Sequence, residues 1–128
     1  MRQFGLIGYP LSHSFSQSFF KEKFQKEAIL DAQYNNYPIP NIEAFKALWE
    51  DANLQGLNIT IPYKKDVIPF LLHPSEVVKS ILACNCIRKF NGELYGYNTD
   101  VIGFEKSLLP YLKSHHTSAL ILGTGGAA

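Results

Sequence analysis

Cys84-Asn85-Cys86-Ile87-Arg88-Lys89-Phe90, Asn91-Gly92, Glu93-Leu94-Tyr95-Gly96-Tyr97 is the stretch whose reading settles the architecture. Two runs rich in apolar and aromatic residues flank Asn-Gly, the dipeptide that most readily takes the left-handed backbone of a two-residue hairpin turn. An antiparallel hairpin is therefore expected over residues 84–97.

Upstream the pattern changes. Residues 4–8 form a short apolar run ending in Gly8-Tyr9-Pro10, which reads as a buried strand followed by a turn. A helix is expected from about Ser16, with Phe20 and Phe24 at i, i+4 and either Ser14 or Ser16 as its N-cap. Residues 33–39 read as a second strand, stopped by Pro38 and Pro40. Asn41 then caps a helix carrying Ile42, Phe45, Leu48, Trp49 and Ala52 on one face. Residues 56–61 are a third strand, closed by Pro62. Residues 64–72 begin helically and break at Pro69, which lacks a backbone donor. His73-Pro74 interrupts the chain, and Ser75 caps a helix with Val77, Val78, Ile81 and Leu82 apolar. Downstream of the hairpin, Asn98-Thr99-Asp100 opens a helix with Val101, Phe104, Leu108 and Leu112 in one stripe. Residues 118–122 form a last strand that runs into Gly123-Thr124-Gly125-Gly126-Ala127-Ala128.

This βαβαβα order, then a hairpin, then αβ, predicts an α/β fold: a three-layer αβα sandwich around a mainly parallel mixed sheet of about six strands, with one antiparallel hairpin strand. Residues 1–113 are expected to form one domain. Residues 114–128 are expected to be a linker, then the first strand and Gly-rich turn of a second, truncated domain. Gly123-x-Gly125-x-x-Ala128 after that strand fits the dinucleotide fingerprint, whose glycines let the backbone approach a pyrophosphate. A Gly-rich tail is the alternative reading. The helix that would hold the pyrophosphate lies past the sequence, so no dinucleotide site is expected to be complete, and a strand with no sheet to join is expected to stay unpaired.

The 128 residues carry 12 Lys+Arg against 11 Asp+Glu, a net charge of +1 that gives no reason to expect nucleic acid or an anionic membrane as partner. No apolar run approaches the roughly 18 residues of a membrane span, and the first residues lack the pattern of a secretory signal. Cys84 and Cys86 stand two apart, so on one strand they would share a face. No second pair completes a zinc site, and two buried thiols in a reduced, cytoplasmic compartment are expected.

In open α/β sheets ligands sit beyond the carboxyl ends of the strands. Ser14 and Ser16 follow strand one, Thr60 and Lys64 end strand three, Asn85 starts the hairpin, and Asn98, Thr99 and Asp100 follow it. Each has a plain structural reading: the serines and Asp100 as helix caps, Lys64 as a solvated lysine, Asn85 as a backbone partner, His13 as a local hydrogen-bonding residue. Taken together they would line a small pocket for a hydroxylated acid. Hydroxyls and a helix N-terminus suit a carboxylate, and lysine, aspartate and asparagine suit ring hydroxyls and a carbonyl.

At these residues the sequence resembles the N-terminal, substrate-binding domain of the shikimate dehydrogenase family. Residues 8–16 resemble its G-N-P-x-x-H-S-x-S segment, Asn58-Ile59-Thr60-Ile61-Pro62-Tyr63-Lys64 its N-V-T-x-P-[FY]-K segment, and Ala83-Cys84-Asn85-Cys86 its A-x-N-T segment. Residues 96–103 resemble G-x-N-T-D-x-x-G, and Gly123-Thr124-Gly125-Gly126-Ala127 the G-x-G-G-A start of its NADP domain. Three departures are present: Tyr9 for Asn, Gln17 for Pro and Cys86 for Thr. The resemblance implies that Ser14 and Ser16 bind the shikimate carboxylate, that Thr60, Lys64, Asn85 and Asp100 hold ring hydroxyls, and that Lys64 and Asp100 are the catalytic pair. Gly123, Gly125, Gly126 and Ala127 would contact NADP. The implied reaction is reversible NADPH-dependent reduction of 3-dehydroshikimate to shikimate in aromatic amino-acid biosynthesis, by an enzyme of which this stretch alone is expected to be inactive. The implied partner is the small-molecule substrate, with a homodimer allowed and neither nucleic acid nor membrane. Quinate-accepting members often carry Thr at the second serine position, so Ser16 leans toward shikimate. A quinate/shikimate dehydrogenase and a non-catalytic hydroxy-acid-binding module are the alternatives.

Overall fold

A computed structural model of the chain describes residues 1–12, 14–123 and 125. Six strands form one sheet: β1 (Arg2–Gly8), β2 (Ala32–Pro38), β3 (Leu54–Ile59), β4 (His73–Pro74), β5 (Cys86–Phe90) and β6 (Glu93–Tyr97), in the order β2-β1-β3-β5-β6-β4. Every neighbouring pair is parallel except those made by β5, which runs against both β3 and β6. The expected mixed sheet with one antiparallel hairpin strand is thus found. Its turn has the backbone that Asn-Gly was expected to supply, with φ of 52° at Asn91 and 81° at Gly92.

The identity of the sixth strand differs from expectation. His73-Pro74 was read as a break, yet it pairs with β6 at the sheet edge. Pro has no N–H to give a ladder, which an edge strand tolerates. The flanking amides make the pairing instead: Leu72 N donates to Leu94 O at 3.2 Å and Ser75 N to Gly96 O at 2.9 Å. Residues 118–122, read as a strand, form none: Leu120, Ile121 and Leu122 are exposed and pair with no described strand.

Helices α1 (Ser16–Lys26), α2 (Phe45–Leu48), α3 (Glu76–Ile81) and α4 (Asp100–Leu108) complete the layers. One sheet face, with Ile7, Leu57, Ile59 and Ile87, packs on Phe45, Tyr63, Val67 and Val78, all at most 4% exposed. The other face receives α1: Phe24 meets Phe4 edge-on at 6.4 Å, and Phe20 stacks on Tyr34 at 4.4 Å. Beside α1 an apolar groove of about 310 Å³ runs over β1, β3 and β5. The α4 stripe packs on nothing comparable, and Phe104 is 68% exposed. No helix among the described residues is long and apolar enough to cross a membrane.

The two cysteines do not share a face. β5 begins only at Cys86, so the strand alternation that would align them does not reach Cys84. Cys84 is buried in the core against Gly96, while Cys86 lines the groove on the opposite face. Both are free, and burial pushes the Cys84 thiol up to about 11.

Candidate functional site

The backbone brings the polar clusters to one end of the sheet. Thr60 follows β3, and its N–H donates to Ile7 O on β1 at 2.9 Å. The chain then turns, with Tyr63 N donating to Thr60 O at 3.0 Å and Val67 N to Tyr63 O at 3.1 Å. The buried Tyr63 hydroxyl reaches Ile39 O at 2.7 Å. Lys64 therefore rides on a loop pinned from below by Tyr63 and Val67. Its carbonyl accepts from Cys84 N at 2.7 Å, which ties this loop to the entry of β5.

Asn85 sits at that entry. Its carbonyl accepts from Ile59 N at 2.8 Å and its N–H donates to Tyr97 O at 3.1 Å. Its side chain turns to the start of α4: Oδ1 accepts from Thr99 N at 2.8 Å, and Nδ2 donates to Thr99 Oγ1 at 2.8 Å and Asp100 Oδ1 at 2.9 Å. Asn98, 5% exposed, fixes the same corner by donating to Ala83 O at 2.9 Å and accepting from Val101 N at 3.1 Å. Asp100 is thus held in the first turn of α4. Its other oxygen, Oδ2, lies 2.7 Å from Lys64 Nζ, across 36 residues of sequence. An ammonium, a carboxylate and an amide are joined in one network. The Lys64 side chain is 18% exposed and that of Asp100 48%, so the amine lies at a protected mouth. A pair this open to water adds little stability, about 0–1 kcal/mol.

Ser14 and Ser16 take another position. Neither caps α1, whose N-cap is Phe15 with no side-chain cap bond. Ser14 N donates to Leu11 O at 3.1 Å in a turn, and its hydroxyl oxygen is buried without a hydrogen-bond partner among the described residues. A buried hydroxyl in that state calls for an external partner. Among the described residues no hydrogen bond joins Ser14 or Ser16 to Lys64 or Asp100. The two groups flank the ends of neighbouring strands, with Ile7 of β1 opposite Ile59 of β3. The approach is close: a Cβ on Gly8 would come within 2.5 Å of Thr60 Cγ2 and 2.9 Å of Ile61 O.

Of the residues matched to a dinucleotide turn, Gly123 has φ 115° and stands with Gly125 in open space, while Gly126 and Ala127 lie outside the described residues. One polar contact went unnoticed in the sequence, between Tyr34 and Asn58, whose side chains meet at 2.9 Å. The available signal was an amide between two apolar residues of one strand, Leu57 and Ile59.

Residues 6–87 match the family described as the shikimate dehydrogenase substrate binding domain. A shikimate dehydrogenase (NADP(+)) of Aquifex aeolicus is 40% identical over 134 residues, covering 98% of this chain and 47% of that protein. One of Chlorobium chlorochromatii is 42% identical over 135 residues, covering 99% of this chain and 45% of its own. Among solved structures, shikimate dehydrogenase 1 of Peptoclostridium difficile superposes with a TM-score of 0.85 at 36% identity, over 99% of this chain and 48% of that one. The shikimate 5-dehydrogenase of Thermus thermophilus in complex with shikimate gives 0.87 at 29% identity, over 99% and 49%. The chain spans about half the length of these relatives. With residues 6–87, more than half of its length, matched by the family, the chain belongs to the shikimate dehydrogenase substrate-binding domain family.

Proposed function

We propose that this chain is the substrate-binding half of a protein that reversibly reduces 3-dehydroshikimate to shikimate, with NADPH as hydride donor. The observation that carries the reading is the Lys64–Asp100 contact of 2.7 Å, braced by Asn85. Residues 1–113 would be the substrate domain and residues 114–128 the start of the part that takes the dinucleotide. The cofactor supplies the hydride, and everything this chain contributes is binding and proton chemistry.

Ser14 and Ser16 take the substrate carboxylate. The Ser14 hydroxyl, buried without a hydrogen-bond partner among the described residues, supports this assignment. Thr60, Asn85 and Asp100 hold ring hydroxyls beside Lys64. As negative charge develops on the carbonyl oxygen, the Lys64 ammonium stabilises it and passes a proton from Nζ to that oxygen, giving the hydroxyl. In the reverse direction the neutral amine takes the hydroxyl proton. Asp100 keeps the amine at its post. The two free thiols agree with a cytoplasmic setting. A homodimer is part of the same reading, and sedimentation of the full-length protein decides it.

The direct test is spectrophotometric. Full-length protein mixed with shikimate and NADP⁺ is expected to generate NADPH, with quinate a poorer substrate. No absorbance change with shikimate overturns the proposal. Ser14→Ala in that protein is expected to raise KM for shikimate roughly tenfold to a hundredfold, the worth of a hydrogen bond to a charged group. Its kcat should stay close to that of the parent, and a loss confined to kcat would remove Ser14 from the carboxylate site.

A further inference from the structure

Asn98 links the two main-chain segments that carry Lys64 and Asp100. Its side chain is buried, and both ends of the amide are committed to backbone. Oδ1 accepts from Val101 N at 3.1 Å, one of the first-turn N–H groups of α4 that have no partner within the helix. Nδ2 donates to Ala83 O at 2.9 Å. A main-chain N–H only donates and a main-chain carbonyl only accepts, so these two bonds allow the amide one orientation. Ala83 O belongs to the same peptide group as Cys84 N, and that N–H donates to Lys64 O at 2.7 Å. This rigid, planar group is therefore held at one end by the Lys64 main chain and at the other by Asn98. A continuous relay runs from Lys64 O through the 83–84 peptide and the Asn98 amide to Val101 N, the residue after Asp100. Ala83 and Cys84 are at most 1% exposed, which leaves water little access to the peptide that joins them.

Asn85 and Asn98 act differently at this corner. Asn85 holds the carboxylate itself, through Nδ2 to Asp100 Oδ1 at 2.9 Å. Asn98 holds the turn of backbone from which that carboxylate projects. The Lys64–Asp100 contact of 2.7 Å needs both the orientation of the carboxylate and the spacing of the two main chains. We propose that Asn98 is a positioning residue that sets this spacing, so that the amine stands where it can pass its proton. This rests on the shikimate reading above and adds to it a buried residue that acts on the reacting pair only through backbone. Rate is the sensitive measure of such spacing, since a misplacement of about 1 Å costs on the order of 10²-fold.

Steady-state kinetics of the full-length protein with shikimate and NADP⁺ test this, beside a melting curve for each variant. Asn98→Ser keeps an oxygen that can cap Val101 N but is too short to reach Ala83 O. Asn98→Asp keeps the size and the cap and turns an acceptor toward that carbonyl. Read well below the melting temperature, kcat of each is expected to fall about tenfold to a hundredfold, while KM for shikimate moves by less than about threefold. A residue that only stabilised the fold would lower the melting temperature and leave kcat of the folded protein as it was. In an Asp100→Asn background, adding Asn98→Ser should change kcat by less than about twofold, since no carboxylate is left to place. If only one of the two variants folds, that one decides. An unchanged kcat in the folded variant, a loss carried by KM, or the same factor with and without Asp100 overturns the proposal. Failure of both variants to fold overturns it too, because Asn98 would then serve the fold itself. A parent protein that does not turn over shikimate is a separate outcome, which removes the underlying reading and this proposal with it.

Discussion

Replacing Lys64 with alanine in the full-length protein is expected to lower kcat for shikimate oxidation by about 10²–10⁴-fold, the usual worth of a positioned general acid–base group. The loss should sit in kcat, with KM changed only a few-fold. The geometry explains why the fold survives. The loop carrying Lys64 is held by its backbone, through the bond from Cys84 N to Lys64 O, and by the buried side chains of Tyr63 and Val67. None of these uses the amine. Asp100, left without its partner, has a side chain that is 48% exposed and keeps its bond from Asn85 Nδ2, so no charge is stranded in the core. Asp100→Asn should fall in the same direction, because the carboxylate that faces Nζ is replaced by a neutral amide. The measurement is steady-state kinetics of both variants beside a melting curve. Near-parental kcat in both, with intact folding, would strip the pair of its catalytic role.

What the sequence revealed, and what it hid, divides along the range of the interactions. The hairpin was legible because Asn91 and Gly92 need only their own backbone to turn. The caps at Asn41 and Ser75 were legible for the same reason, and both accept from the N–H three residues on, at 3.3 Å each. At α1 the local rule misled. Ser14 and Ser16 are sound caps by type, but neither hydroxyl is used that way. Those positions are better understood as hydroxyls kept away from capping. The short edge strand at His73-Pro74 could not be read locally, since its pairing with β6 is made by a chain segment some twenty residues later. Residues 118–122, expected to stay unpaired, follow the same rule: an apolar run becomes a strand only when a partner ladder is offered. For the site, residue type located Lys64, Asn85 and Asp100, while the network linking them, and the Tyr34–Asn58 bond, depend on three strands lying side by side.

Phe45→Ala is expected to destabilise the chain by about 3–5 kcal/mol, the range for emptying a buried aromatic site. Phe45 is fully buried, meets Trp49 edge-on at 5.8 Å and packs on Phe70 at 5.1 Å. It bridges two pieces with no stability of their own, the four-residue α2 and the 3₁₀ turn Ile68–Phe70, and neither is long enough to persist without packing. The cavity would open under the segment that carries Lys64, since Tyr63, Val67 and Phe70 descend from that loop into the same core. Against a total of about 5–15 kcal/mol for an ordinary domain, such a loss leaves a large unfolded fraction. In melting temperature it is on the order of 10–20 °C. Leu30→Ala is the control: Leu30 is 85% exposed, and its removal should shift stability by less than about 0.5 kcal/mol. Urea unfolding of the two variants side by side checks both values. A Phe45→Ala midpoint within error of the Leu30→Ala midpoint would mean that the core beneath the Lys64 loop is not built as described.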